Sequence, residues 1–585
     1  MEVDLPELHR YELYPLLVFC EQKDVLSLLS RFLSPADMFQ LWCCNRTTRR
    51  CTLRVLTGRV VWKNGDVSQW AVHNWEGHRD KLPFVTRLLV SSGEDPLNVF
   101  VSIGRYNSLK QLTFGDEFNQ PFDKGVLPNS VTQLKFGRCF NQALGEGVLP
   151  ASLAQLTFGH RFNELLLKNA LPARLEKLTF GHRFNQHLCG GVLPAGLKQL
   201  SFGHSFNRPI DKGTLPPRLA ELAFGHSFNQ SFDKGVLPAS LVQLKFVGDF
   251  EQPHDESLEG LRFGGVFDQP LGEGVLPEGL KQLVFGHRFN RPLGHGVLPA
   301  NLARLRFVLD FNQPLGEGVL PASLAQLTFG RSFDQPLGAG VLPPGLTQLT
   351  FGGNFNQPLE EGVLPARLAQ LTFGAGFDRP LARGELPARL LQLTFGAHFN
   401  QPLFEGDMPA SLTQLTFDGV FNQPLDAGVL PRSLTKLSLL GLFNQPLVER
   451  ALPPGLTKLS FGYWFDQPLG AGVLPTRLIQ LTFGVKFNQP LGEGVLPASL
   501  MQLTFGRSFN HPLGEGVLPA NLAEITFGRS FNQPLNVGVL PPRLTYLKFG
   551  RGFKQLLGEG VLPVGLGQLQ FGSMPLTKGI WREQE

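Results

Sequence analysis

Histidines are the side chains whose spacing first suggests chemistry. His160, His182, His204 and His226 recur every 22 residues, and His287 continues the column further on. Imidazoles on neighbouring turns of a repeat are close enough to share a metal in principle. The same column holds Arg138, Arg331, Arg507, Arg529 and Arg551. A guanidinium is a permanent cation and no metal ligand, so the interchange points to a polar, outward position. Two or three convergent ligands with a supporting second shell are not evident. The column reads instead as a weakly basic binding stripe or a solvated turn. Cys43, Cys44 and Cys51 lack the paired spacing of zinc ligands and read as buried helix cysteines. The Gly-Glu-Gly triplets, such as Gly145–Gly147 and Gly272–Gly274, are not followed by the Lys-Ser/Thr of a phosphate loop. No Gly-x-Ser-x-Gly elbow and no His-Glu-x-x-His is present. The sequence therefore supports no catalytic residue, no metal and no cofactor.

What positions these side chains is a repeat. From Phe118 the chain reads in rows of 22: Phe-Asn-Gln-Pro-Leu-Gly-Glu-Gly-Val-Leu-Pro-Ala-Ser-Leu-Ala-Gln-Leu-Thr-Phe-Gly-x-x. The period holds from Phe118 to Phe250 and from Phe267 to Phe553, giving 21 row starts, with a partial copy at Ser108–Gly115 before them. In Leu-x-x-Leu-x-Phe (Leu153, Leu156, Phe158) the end alternates apolar and polar, the period of a short strand with one buried face. The strand Phe recurs from 114 to 571, with Leu439 departing, and a second Phe opens every row. Two aromatic columns are therefore expected to run the length of the molecule. The next position is Asn in 15 rows and Asp in four. Asn and Asp share an acceptor oxygen, so the expected job is acceptance from a backbone N–H in an Asx-type turn. A further column is Gly in 18 of 20 complete rows, with Asn169 and Arg450 as the exceptions. Asn suits positive φ next best; at Arg450 a distorted turn is expected. Pro recurs from Pro128 to Pro563, which makes the return arm extended or turn-like.

One strand per turn, all in one direction, gives a parallel sheet. The expected fold is a curved, right-handed repeat solenoid, leucine-rich-repeat-like, with one short parallel β-strand per 22-residue repeat and a small α-helical N-terminal domain. One row is short: Phe250 to Phe267 spans 17 residues, with Gly-Val-Leu-Pro-Ala missing. There the strand is expected at Leu258, Leu261 and Phe263, with a local kink dividing the array into blocks of six and fourteen rows.

The totals agree with copying of one motif. In 585 residues Phe (50), Gly (66) and Pro (46) are high, while Tyr (5), Trp (6) and Met (5) are low. A formal net charge of +5 spread over 585 residues is weak evidence for nucleic-acid binding, and no Lys/Arg-rich run supports it, so a nucleic-acid partner is not expected. Six cysteines form no disulfide framework, and the opening Met-Glu-Val-Asp has the wrong charge for a signal peptide. The early apolar run Leu13–Cys20 is too short to span a bilayer. A soluble cytoplasmic or nuclear protein is expected.

On the co-occurrence of Phe-Asn-x-Pro, Gly-x-Leu-Pro and Leu-x-x-Leu-x-Phe at fixed spacing, residues 100–572 resemble FNIP repeats. That family is leucine-rich-repeat-like, is best known from amoebae and the large DNA viruses that infect them, and carries no general enzymatic activity. The resemblance implies a non-enzymatic binding solenoid. Before it, residues 24–50 have helical spacing. Leu26, Leu29, Phe32 and Leu33 share a face, Ser34-Pro35 marks a helix start, and Met38, Leu41 and Trp42 resume an apolar face.

Leu33-Ser-Pro-Ala-Asp37-Met38 and Cys44-Asn-Arg46 resemble an F-box, with Val61-Trp62 in the place of its late Leu-Trp. Gln22-Lys23 replaces the usual opening Leu-Pro. The resemblance implies that Leu26, Leu29, Leu33, Pro35, Met38 and Leu41 dock on the Skp-type adaptor of a cullin ubiquitin ligase, while the solenoid holds an unknown protein target. The alternative is an interaction scaffold whose N-terminal helices only cap the open end; the two readings are compatible.

The domain reading is therefore 1–62 F-box-like, 63–117 degenerate lead-in rows, 118–572 repeats, and 573–585 a tail in which Ile580 and Trp581 cap the last row. The target-binding surface is expected where rows vary: at His160, His182, His204 and His226, at Arg304 and Arg306, and at Tyr463 and Trp464. Lys135, Lys245, Arg262 and Tyr546 are further variable positions. Exposed Tyr, Trp and Arg are the side chains that anchor interfaces.

Overall fold

Two columns of phenylalanine and four of leucine have to leave water, and strand, turn and return arm are arranged around that need. The computed structural model describes residues 60–61, 87–90, 109–246, 265–572 and 574–577. The helical segment expected over residues 24–50, the F-box-like residues Leu26 to Leu41, and Ile580 and Trp581 lie outside them. The chain forms two compact units, Met1–Gly286 and His287–Glu585.

The first unit is a parallel β-solenoid. Its strands run from β1 (Val60–Val61), β2 (Arg87–Val90) and β3 (Gln111–Phe114) through β4 (Gln133–Lys135) and β5 (Gln155–Thr157) to β9 (Gln243–Lys245) and β10 (Gln282–Phe285). Neighbours pair in register at the repeat spacing, as Gln133↔Gln155 and Leu134↔Leu156. The lead-in joins the same sheet, Val90 aligned with Phe114, and β1, at the end of the segment expected to be F-box-like, pairs with it, Val60 aligned with Leu88. Within each strand the middle Leu is buried and the flanking Gln and Thr are not, as the alternation requires.

Where one row ends and the next begins the two rings stack, with Phe136 and Phe140 centroids 3.9 Å apart at 7°. Between rows each column continues, Phe136 to Phe158 at 5.8 Å and Phe140 to Phe162 at 6.1 Å. Such pairs add roughly 0.5–1.5 kcal/mol each beyond the area they bury. The return arm ends in a turn in which Leu153 N–H donates to the Pro150 carbonyl at 3.0 Å. Among the described residues there is no helix.

The Asn/Asp column does accept backbone N–H, but from the next row rather than from its own turn. Asn141 N–H donates to Asn119 Oδ1 at 2.7 Å and Asn163 N–H to Asn141 Oδ1 at 2.7 Å. The expected Asx-type turn is thus corrected to a ladder along the solenoid, which needs an acceptor in each row and no donor. That is why Asp334 substitutes freely, accepting from Asn356 N–H at 2.9 Å. The glycine after the strand Phe has a different cause. A Cβ on Gly159 would stand 1.6 Å from the Gly137 carbonyl oxygen, so rows approach each other through these positions.

The short row is resolved differently from expectation. β9 pairs directly with β10, Gln243 against Gln282, so no strand intervenes between them. Phe267 stacks on Phe246 at 4.0 Å, in the slot that the residue four positions on fills elsewhere. Val266 N–H donates to the His226 carbonyl at 2.7 Å, as Ser227 does to His204 one row earlier. The row is a composite: its strand precedes the short segment and its second Phe follows it. The step from Phe246 to Phe285 stays regular at 6.1 Å and 3°, so the expected kink is not seen in the stacking. Leu258, Leu261, Arg262 and Phe263 lie outside the described residues.

The second unit repeats the scheme from β11 (Arg304–Phe307) through β17 (Lys436–Leu439), β18 (Lys458–Phe461), β19 (Gln480–Thr482), β20 (Gln502–Thr504), β21 (Glu524–Thr526) and β22 (Tyr546–Phe549) to β23 (Gln568–Phe571). Leu439 interrupts one ring column, while the other runs on from Phe421 to Phe443 to Phe465 at 6.1 Å per step. β24 (Met574–Thr577) turns back antiparallel on β23 and pairs its outer edge. That covers a strand edge which would otherwise present unpaired backbone groups. Arg450 was expected to distort its turn; it keeps φ 65°, beside φ 91° at Gly428 and 82° at Gly472. The neighbouring rows hold the backbone in the left-handed region and the arginine bears the strain.

Candidate interaction surfaces

The turn that follows each strand carries the residues that vary, and the two units use it differently. In the first unit this edge holds the histidine column. His160, His182, His204 and His226 stack face to face, with centroids 4.4, 4.4 and 4.7 Å apart and ring planes 17°, 4° and 12° from parallel. The cause is the row spacing: identical side chains on rows about 4.8 Å apart must lie ring on ring.

Expected as outward and solvated, these rings are half-buried instead. The Nδ1 atoms of His160 and His182 are buried without a hydrogen-bond partner among the described residues. Burial is the main cause that lowers the pKa of all three first rings, with neighbouring cations acting the same way. Arg138, Arg183 and Arg161 act on His160; His160 and Arg183 act on His182; His182 and His226 bring His204 to about 4. Parallel rings point their lone pairs side by side, whereas a zinc site needs nitrogens converging on one point about 2.0–2.1 Å away. Among the described residues no three His, Cys, Asp or Glu are grouped to hold a metal.

In the second unit the same edge is exposed. Tyr463 and Trp464 follow β18, are 46% and 47% exposed, and meet edge to face at 5.1 Å. Lys486, one row on, places its ammonium 5.9 Å from the Tyr463 ring centre and 5.4 Å from that of Trp464. Backbone hydrogen bonds between rows hold this edge: Trp464 N–H to Gly441 O at 3.3 Å, Lys486 N–H to Tyr463 O at 2.9 Å and Ser508 N–H to Val485 O at 2.9 Å. Arg304 and Arg306 are elsewhere, both on the exposed face of β11, beside Gln326 and Thr328 of the next strand. The structure therefore does not bring the expected target-binding residues into one site. The histidines share a column in the first unit; Tyr463 and Trp464 share a turn in the second; the two arginines share a strand.

Tyr546 is tied down, its hydroxyl donating to Gln570 Oε1 at 2.9 Å, and is half-buried rather than a free anchor. Ile479 and Met501, outside the surface expected from sequence, also stand exposed, in the column that is Ala, Thr or Lys in most rows. They border shallow hollows, the larger about 620 Å³ and lined by Met501, Asn521, Ala523, Arg543 and Thr545. The signal was present as two consecutive large apolar residues in a mostly small or polar column, where Val242 and Leu391 occur singly.

The chain matches the FNIP Repeat family over residues 80–139, 140–183, 184–227, 206–249, 267–310, 311–354, 355–398, 399–440, 443–486, 487–530 and 531–574. Among solved structures it is similar to CroV588, described as a novel circular leucine-rich-repeat protein, at 44% identity and a TM-score of 0.71, over 81% of this chain and 71% of that one. Likeness extends to the TLR13–ssRNA13 complex (15% identity, TM-score 0.42, 83% of this chain and 62% of that one) and to the Toll–Spatzle complex of Drosophila (15%, 0.46, 86% and 65%). No curated protein matches the chain.

Proposed function

Since the chain belongs to the FNIP repeat family, we propose that it is a non-enzymatic repeat scaffold that binds other proteins. The observation that carries this reading is the division of labour between columns. Phe, Leu, Asn/Asp, Gly and Pro repeat with little change and form the framework, while variation gathers on exposed edges such as Tyr463, Trp464 and Lys486. Repeat arrays bind through such surfaces because every row is held by its neighbours and little order is lost on docking. The half-buried, parallel imidazoles and the open hollows offer no converging acid, base or nucleophile.

The finer proposal is an adaptor. The residues Leu33-Ser-Pro-Ala-Asp37-Met38 and Cys44-Asn-Arg46, by their likeness to an F-box, support docking of Leu26, Leu29, Leu33, Pro35, Met38 and Leu41 on a Skp-type subunit of a cullin ubiquitin ligase. Cytoplasmic or nuclear residence goes with that reading. The test is capture of purified Skp-type adaptor by the full chain and by Leu33→Asp. Capture lost in the variant supports the adaptor; capture unchanged, or absent from both, leaves a binding scaffold without a ligase link.

A further inference from the structure

Five successive rows of the second unit present one edge whose chemistry changes in order. After β18 come Tyr463 and Trp464; after β19, Val485 and Lys486; after β20, β21 and β22 come Arg507, Arg529 and Arg551. The strands pair consecutively in register, so these residues lie in line at steps of about 4.8 Å. The three arginines and Lys486 are exposed. Among the described residues no carboxylate stands within ion-pair distance of Arg507, Arg529 or Arg551. The one acid on this edge, Asp466, is committed to the ladder, accepting Asn488 N–H at 2.8 Å. Three unneutralised like charges on adjacent rows repel one another, a cost that an anionic ligand removes.

Resting on the protein-binding reading above, we propose that this edge docks an extended acidic peptide of a partner protein. Its carboxylates pair with Arg507, Arg529 and Arg551, and an apolar side chain beyond them seats on Tyr463, Trp464 and the exposed Leu442. Carboxylates on one face of an extended chain recur about every 6.8 Å. Three of them span about 14 Å, against about 10 Å between the outer arginine rows, within reach of long flexible side chains. A guanidinium matches a carboxylate by two parallel N–H donors.

A single-stranded nucleic acid suits the edge less well. Lys486 already sits over both rings, where a base would stack, and the adjoining Ser508 and Ser530 add no cation. A second copy of the chain is the remaining occupant, through exposed return-arm acids such as Glu493 and Glu515.

The experiment is fluorescence anisotropy with the full chain at low salt. The probes are a labelled peptide of alternating Glu and Gly ending in Leu-Phe, its Gln counterpart, and a labelled single-stranded oligothymidine. The acidic peptide binds, and the Gln peptide binds at least about tenfold more weakly. R507Q/R529Q/R551Q weakens the acidic peptide about tenfold, and raising the salt does the same. R367Q/R383Q/R389Q, which removes equal charge from exposed positions in other columns, changes it less than about twofold. Trp464→Ala weakens the peptide and spares a variant probe lacking Leu-Phe.

Equal loss in both triple variants overturns the proposal, as does tighter binding of oligothymidine. Dimerisation of the free chain that disappears in R507Q/R529Q/R551Q overturns it in favour of a second copy. Absence of peptide binding in a chain that still captures proteins from a lysate refutes this inference and leaves the protein-binding reading standing.

Discussion

The turn after the strand in the first unit and the same turn in the second occupy one slot of one fold, yet they do opposite things. Around His160, His182, His204 and His226 the side chains stack on each other and are half-buried. Around Trp464, Arg507, Arg529 and Arg551 they stand out in water, and their charges are unbalanced. Planar rings repeated every row find a partner in the next row; guanidinium groups repeated every row find only a like charge. A column with no role in the core is therefore framework or binding surface according to side-chain type alone. The return-arm column does not share this divide: it is exposed in both units, as at Lys168 and Lys212 in the first and Glu493 and Glu515 in the second.

The comparison is sharpest where the two units should not differ. Phe184 and Phe355 are both fully buried in the second ring column. Phe184→Ala and Phe355→Ala are expected to cost about 3–5 kcal/mol each. Hydrogen exchange of the neighbouring rows measures both, and unequal costs would show that the cores are not equivalent. The ladder comes next. Asn163→Leu in the first unit and Asp334→Leu in the second each leave the next row's N–H without its acceptor, at Asn185 and Asn356, and should cost about 1–3 kcal/mol. Asp334→Asn should change denaturant stability by less than about 0.5 kcal/mol, because the acceptor remains.

Smaller again is the strain at the two non-glycine turns, Asn169 at φ 66° and Arg450 at φ 65°. Arg450→Gly should stabilise the second unit by up to about 1 kcal/mol, and Asn169→Gly the first by less, since Asn tolerates this region better. Thermal melts rank the two, and a destabilised Arg450→Gly would show that the arginine side chain contributes more than its backbone costs.

The smallest effect is expected from pH, because the imidazoles are only half-buried and solvent screens them. The pKa values of His160, His182 and His204 are lowered from 6.5, that of His204 to about 4, so these three rings stay neutral in the folded state where the unfolded chain takes up protons. The unfolded state then binds more protons, and stability falls as pH drops below about 6.5, levelling off near 4. His204→Gln should flatten that slope. Protection factors, which remove the intrinsic pH dependence of amide exchange, compare the two units over the same pH range, and equal slopes would break the distinction between their edges.

Much of this molecule was legible in its sequence because a repeat writes its own three-dimensional neighbours into its spacing. A residue 22 positions away is the contact one row along, so strand, register, buried face, positive-φ column and the paired aromatic stacks followed from period and side-chain type. The family likeness and the absence of catalytic motifs rested on the same columns. What the spacing could not express was decided by the tertiary structure. The Asn and Asp acceptors turn to the next row because the neighbouring backbone brings an N–H within 2.7–3.0 Å, a distance no single row contains. The short segment is bypassed because β9 and β10 gain a full set of parallel hydrogen bonds by meeting directly, with Phe267 filling the slot beside Phe246. The histidines leave water because stacking buries their faces, and the second unit's edge carries its charges outward because its rows cannot neutralise them.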